Sequence, residues 1–272
     1  MAAAITLRTP LGRRVKVVEQ GAGTPVVFLH SGVGSAGEWK QVFSLWPESY
    51  QLVAIEAYRD GTGPGEAVRP SLDDYADQVH AVAEHLGASV CLVGFSWGGA
   101  TVLRVAAARP GLVTSLAVIE PEAYALLRTQ DADAYTQICG LRDRWRAGRW
   151  YEAFEEFIDF YNGPGSFARW PPPRREAFLA VQQTRGDLWD VLFDDGLLTL
   201  DALTSVTAPV HVIEGTHTSV VDHAICEVIR RHVPHARHTL IDGASHMMPL
   251  THPEPLTRAL LNGIEHSASD RK

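Results

Sequence analysis

The residue best placed to do chemistry is Ser96, in the run Val90-Cys91-Leu92-Val93-Gly94-Phe95-Ser96-Trp97-Gly98-Gly99. The run reads as a buried strand, then G-x-S-x-G, then a helix. Glycines on either side let strand and helix approach closely, so the serine is held on a sharp, strained turn with its oxygen exposed at the strand's carboxyl end. A serine hydroxyl is a weak nucleophile unless a base takes its proton. Of the twelve histidines, His246 is singled out by its place in Ile241-Asp242-Gly243-Ala244-Ser245-His246, the loop after the last apolar strand.

With these pieces in place, the chain resembles the α/β-hydrolase superfamily. The resemblance rests on the His30-Ser31-Gly32 turn after an apolar strand, on Gly94–Gly99 and on Gly243-Ala244-Ser245-His246, and it spans nearly the whole chain. It implies a serine–acid–histidine order along the sequence and an oxyanion hole of two backbone N–H groups. One donor is then the amide of Trp97, after the nucleophile. The other comes from the turn after His30, with Gly32 the first choice and Ser31 the second. His30, Ser31, Phe95, Tyr124 and Met247 adjoin these loops and are the expected pocket wall.

The acid departs from the usual pattern. Many relatives carry an aspartate a few residues past the strand that ends here at Val212-Ile213-Glu214-Gly215, but that position is Thr218. The other place used in the superfamily is the end of the strand after the nucleophile helix, as in some haloalkane dehalogenases. Here Ser115-Leu116-Ala117-Val118-Ile119 runs into Glu120-Pro121-Glu122. Glu120 is therefore the expected acid, since a charge ending a buried strand needs a partner. Asp222 is the alternative, with Glu122 and Glu214 behind it. The dehalogenase likeness stops there, because those enzymes use an aspartate nucleophile. A second departure is Ala57, where many relatives have the first acid of an Asp-x-x-Gly-x-Gly-x-Ser turn.

Other signals are weaker. Gly61-Thr62-Gly63-Pro64-Gly65 lacks the lysine and following helix of a phosphate loop. Asp194-Asp195 reads as a solvated turn. His211, His217, His223, His232, His235 and His238 show no zinc spacing and are expected mostly at the surface, and His252 is expected at a helix start. No cofactor or metal is expected. The chemistry expected is acyl transfer to water from an ester, thioester or lactone of a moderately apolar small molecule. The alternatives are a lyase or cyclase that reuses the pocket without an acyl-enzyme, and a ligand receptor.

These side chains need a scaffold. Short apolar runs at Pro25–Leu29, Leu52–Ile55, Val90–Val93, Leu116–Ile119, Pro209–Ile213 and Thr239–Ile241 read as strands buried on both faces, as in a parallel sheet. Ile5–Arg8 and Val15–Glu19, joined at Pro10-Leu11-Gly12, read as an antiparallel hairpin. Helical spacing appears over Ser71–Leu86, with Ser71 as N-cap, and over Trp97–Ala108, Val220–His232 and Pro255–Ile264. The alternation predicts an α/β fold with a doubly wound, mostly parallel sheet. Residues 122–207 break the rhythm: they have no convincing strand and hold half or more of the aromatics, Trp145, Phe157, Tyr161 and Trp189 among them. The expectation is a core of 1–121 and 208–272 with a helical lid, 122–207, inserted between two strands.

Composition is that of an ordinary globular protein. The chain has 272 residues, 46% hydrophobic and 21% charged, with a formal net charge of −8. That sign disfavours nucleic acid as a partner. Cys91, Cys139 and Cys226 are too few and scattered for a disulfide framework. No apolar run is long enough to span a membrane, and the N-terminus lacks the charge-first layout of a signal peptide, so a cytoplasmic location and a small-molecule partner are expected. The oligomeric state has no signature in the sequence.

Overall fold

The computed structural model describes residues 3–10, 12–32, 34–56, 72–182, 193 and 198–269. Ala57, the glycine-rich run 61–65, Ser71, Trp189 and Asp194-Asp195 lie outside the described residues.

The sheet has eight strands in the order β1-β2-β4-β3-β5-β6-β7-β8. They are β1 (Ala3–Arg8), β2 (Arg14–Gly21), β3 (Thr24–Leu29), β4 (Tyr50–Glu56), β5 (Val90–Phe95), β6 (Val113–Ile119), β7 (Val210–Gly215) and β8 (Arg237–Ile241). All eight sequence runs become strands, with ends moved by a few residues. β1 and β2 form the antiparallel hairpin, with Arg8 opposite Arg14, and β2 pairs antiparallel with β4. The remaining pairs are parallel.

Alternation along the strands explains the layering. Val27, Leu29, Val53, Ile55, Leu92, Leu116 and Val118 face one buried cluster, while Val26, Phe28, Leu52, Ala54, Val93, Phe95 and Ile119 face another. Both faces of the sheet are therefore apolar, and each must be covered. Helices α1 (Lys40–Ser44) and α11 (Pro253–Ser269) contribute Val42, Phe43, Leu256 and Leu260 to the second cluster, with α10 (Met248–Thr251) beside them. α2 (Leu72–Leu86), α3 (Trp97–Ala108) and α9 (Val220–His232) cover the first.

Between β6 and β7 the described residues form α4 (Tyr124–Gln130), α5 (Ala132–Arg146), α6 (Trp150–Asn162), α7 (Pro172–Gln182) and α8 (Leu200–Thr204). Their buried side chains, including Tyr124, Ile138, Leu141, Phe154, Phe157 and Tyr161, belong to the same cluster as α3 and α9. Among the described residues no helix is long and apolar enough to cross a membrane.

The strand order locates the site. From β3 the chain steps to one side to form β4, then crosses back to form β5 on the other side of β3. The winding reverses there, so the loops leaving β3 and β5 part from one another and open a crevice at their carboxyl ends. The first of these loops holds Ser31 and Gly32, and the second holds Ser96.

Candidate active site

Ser96 sits between β5 and α3 with φ 59° and ψ −124°. A non-glycine residue rarely adopts a positive φ, and the turn is held there by its hydrogen bonds. The Ser96 N–H donates to the Ile119 carbonyl at 2.8 Å, and its carbonyl accepts from Gly99 at 2.8 Å and Glu122 at 3.0 Å. The flanking glycines are steric requirements. A Cβ on Gly98 would lie 2.5 Å from the Leu29 carbonyl oxygen and 2.7 Å from that of His30, and one on Gly94 would strike the Gly98 carbonyl.

His246 arrives on the loop after β8. That loop is pinned to the end of β7: His217 N–H donates to the Ala244 carbonyl at 2.8 Å, and Gly243 N–H to Thr216 Oγ1 at 2.8 Å. The imidazole is packed between Phe95 and Tyr161, with ring centroids 4.9 Å and 4.8 Å away. Its Nδ1 lies 2.9 Å from Glu120 Oε2 and 3.1 Å from Asp222 Oδ2. The structure thus brings the first-choice acid and its first alternative together on one nitrogen.

The two acids are held differently, Glu120 through its carboxylate and Asp222 through its backbone. Glu120 leaves β6 at φ 39°, and its Oε1 accepts the Gly215 N–H at 2.8 Å. Asp222 occupies the first turn of α9, capped by Ser219 Oγ, which accepts the Asp222 N–H at 3.0 Å. Both side chains are fully buried. Burial pushes the Asp222 carboxyl up to about 7, against the opposing pull of His246. Burial works against a charged His246 too, but the facing carboxylates, Asp222 first, outweigh it and hold the imidazole well above its usual value. Glu120, Asp222 and His246 each place one ligating atom within 4.8 Å of the others, the one such group among the described residues.

The other carboxylates are engaged elsewhere. Glu214 takes His223 Nδ1 at 2.6 Å and His238 Nε2 at 3.0 Å on its two oxygens. Glu122 accepts a 2.7 Å hydrogen bond from the Tyr124 hydroxyl, and burial raises its carboxyl above the usual range.

Ser96 and His246 share a narrow cavity of about 20 Å³. Its floor includes Ser31, Gly32, Glu122 and Met247, and one face of α6 closes it with Phe157, Ile158, Tyr161 and Asn162. Of the expected wall, Ser31 and Met247 line it, but His30, Phe95 and Tyr124 do not. Phe95 is spent packing against His246, and Tyr124 stands behind Glu122. His30 is buried, with Nδ1 2.6 Å from the Ser31 carbonyl oxygen.

Of the two donors expected after His30, Ser31 is bonded to Glu38. Ser31 N–H is committed to Glu38 Oε2 at 3.0 Å, and Ser31 Oγ to Glu38 Oε1 at 2.7 Å. Gly32 lines the cavity beside it. Trp97 opens α3, where the first backbone N–H groups have no partner within the helix.

Several positions correct or extend the sequence reading. His211, expected at the surface, is buried on β7; it bonds Thr239 Oγ1 at 2.8 Å, and burial lowers its pKa to about 4. Sequence reasoning weighed Glu122 only as a rival acid and missed its place in the cavity. It also missed Ile158 and Asn162, although the spacing 157, 158, 161, 162 marks one face of a helix.

A family model described as the alpha/beta hydrolase family matches residues 26–259. The chain belongs to the alpha/beta hydrolase family. Membership makes it, at that coarse level, an enzyme of the hydrolase class. The hydrolase is 24% identical over 267 residues to RutD of Pantoea ananatis (strain LMG 20103), named provisionally as a carbamate hydrolase, with 92% of each chain covered. It is 28% identical over 281 residues to the polyketide synthase ThaQ of Burkholderia thailandensis, covering 96% of this chain and 13% of that longer one. Among solved structures, the esterase RhEst1 from Rhodococcus sp. ECU1013 matches with a TM-score of 0.75 at 22% identity, over 96% of this chain and 98% of that one. At such identity the structural likeness speaks for the fold.

Proposed function

We propose that this hydrolase cleaves an ester, thioester or lactone of a small, moderately apolar molecule through an acyl-enzyme on Ser96. The observation that carries this is His246 Nδ1, 2.9 Å from Glu120 and 3.1 Å from Asp222, in the same cavity as a serine held at positive φ. His246 Nε2 takes the Ser96 proton as Oγ attacks the acyl carbon. The oxyanion sits against the amides of Gly32 and Trp97. The leaving group departs with the proton from His246. A water then gives a proton to His246, attacks the acyl carbon, and releases Ser96 and the acid product. The carboxylates hold the Nδ1–H tautomer and stabilise the imidazolium.

Residues 122–207 serve as the lid in this reading. A cavity of about 20 Å³ admits little more than water, so a substrate enters only when the α6 face bearing Phe157 and Tyr161 moves aside.

The test is intact-mass spectrometry after incubation with a small fluorophosphonate. One adduct on the wild type, absent in Ser96→Ala, is expected. No adduct on folded wild type sinks the serine reading, and turnover surviving in Ser96→Ala points instead to a lyase or cyclase.

A further inference from the structure

We propose that Glu122 sets the charge preference of the Ser96 pocket: it favours acyl substrates that carry an ammonium group close to the reacting carbonyl and turns away those that carry a carboxylate there. This deepens, and rests on, the reading of Ser96 as the nucleophile.

The β6 end carries carboxylates at two positions that the backbone sends different ways. Glu120, at φ 39°, goes behind His246 to Nδ1. Glu122, two residues on, joins the cavity wall with Ser96 and is 2% exposed. It is close enough to both Ser96 and His246 for each to bear on its ionisation. With Nδ1 already occupied by Glu120 and Asp222, the orienting role is filled, and Glu122 is left facing whatever enters.

Its position is held from both ends. The Glu122 N–H donates to the Ser96 carbonyl at 3.0 Å, so the backbone moves with the nucleophile turn. One carboxyl oxygen accepts from Tyr124 at 2.7 Å, and the Tyr124 oxygen accepts in turn from the Tyr161 hydroxyl at 2.9 Å. A carboxyl fixed in this way is a preorganised recognition group, since little side-chain freedom remains to be lost on binding.

Among the described residues that line the cavity there is no lysine or arginine, and Phe157, Ile158, Tyr161 and Met247 are largely apolar. Asn162 Oδ1 already accepts the Met247 N–H at 3.1 Å. Among the described lining residues Glu122 is the one acid and His246 the one base, with Glu120 and Asp222 behind the imidazole. A substrate carboxylate would be brought out of water against like charge. A substrate ammonium would meet a carboxylate acceptor in a wall that also holds two aromatic rings.

The test is a charge series of near-equal length: phenyl esters of β-alanine, butanoate and succinate, compared by kcat/KM. In the wild type the order expected is ammonium over neutral over carboxylate, with steps of about tenfold or more. Glu122→Gln should bring the three within about threefold, and Glu122→Asp, which keeps the charge, should keep the order. Succinate turned over as well as butanoate by the wild type overturns the proposal, as does an order that Glu122→Gln leaves intact. Fluorophosphonate labelling of the same wild-type sample separates the two readings. A labelled enzyme with a flat charge series refutes the role of Glu122 alone, whereas an unlabelled, folded enzyme refutes the serine mechanism beneath it.

Discussion

Removing one of the two carboxylates on His246 should cost much less than removing both. Glu120 Oε2 and Asp222 Oδ2 stand 2.9 Å and 3.1 Å from the same Nδ1, so either can accept its proton. At about 3 Å and an effective dielectric of about 20, one carboxylate attracts an imidazolium by roughly 5 kcal/mol before desolvation is counted. Replacing the lone acid of a serine-protease triad by its amide costs about 10⁴ in kcat, or about 5.4 kcal/mol at 1.36 kcal/mol per factor of ten. Here the charges compensate. The charge on Glu120 helps keep the Asp222 carboxyl protonated, so Glu120→Gln lowers the Asp222 pKa and leaves an ionised acceptor in place. The glutamine oxygen can still take the Gly215 N–H. Each of Glu120→Gln and Asp222→Asn should therefore slow labelling by about 10–100-fold, and the double variant by about 10⁴. The assay is the second-order rate of fluorophosphonate labelling, read by intact mass, with circular dichroism to establish folding. If Glu120→Gln alone falls as far as the double variant, Asp222 contributes nothing and the shared-acid reasoning is wrong.

Further expectations follow from the same geometry. Since the carboxylates hold His246 above its usual value and the base must be neutral, labelling should climb with pH along a limb lying above about 6.5; Asp222→Asn should move that limb to lower pH, and an unmoved limb would count against the pairing. Burial raises the Asp222 carboxyl to about 7, above the roughly 3.9 of an unfolded chain, so the folded state holds more protons across that window and stability falls as pH rises through it. Melting temperature in Asp222→Asn should therefore decline less between about pH 4 and 7 than in the wild type, and parallel curves would refute this. Gly98→Ala should lose about 1–3 kcal/mol or more and most labelling, because its Cβ would lie 2.5 Å from the Leu29 carbonyl oxygen; normal stability in urea melts would contradict the close approach. Phe157→Ala should speed labelling by a bulky fluorophosphonate relative to a small one, and an unchanged ratio would argue against α6 as the gate.

The chain itself carried most of this in readable form. Consecutive apolar residues marked strands that a parallel sheet buries on both faces, and the eight strands follow from those runs. The strand–G-x-S-x-G–helix pattern placed Ser96 because its glycines answer a local steric demand, legible without tertiary information. His246 and Glu120 could be named because the family resemblance puts the base in the loop after the last strand and offers the end of the strand after the nucleophile helix for the acid. What folding alone decided is how groups far apart in sequence meet. Asp222 and Glu120 are rivals in the sequence and partners in space, because α9 and β6 converge on one imidazole from different sides. His211 looks like any surface histidine until α11 covers it. Glu122 and the α6 face become a pocket only when β6 and the inserted helices are packed together, since periodicity tells which face of an element is buried but not what it is buried against.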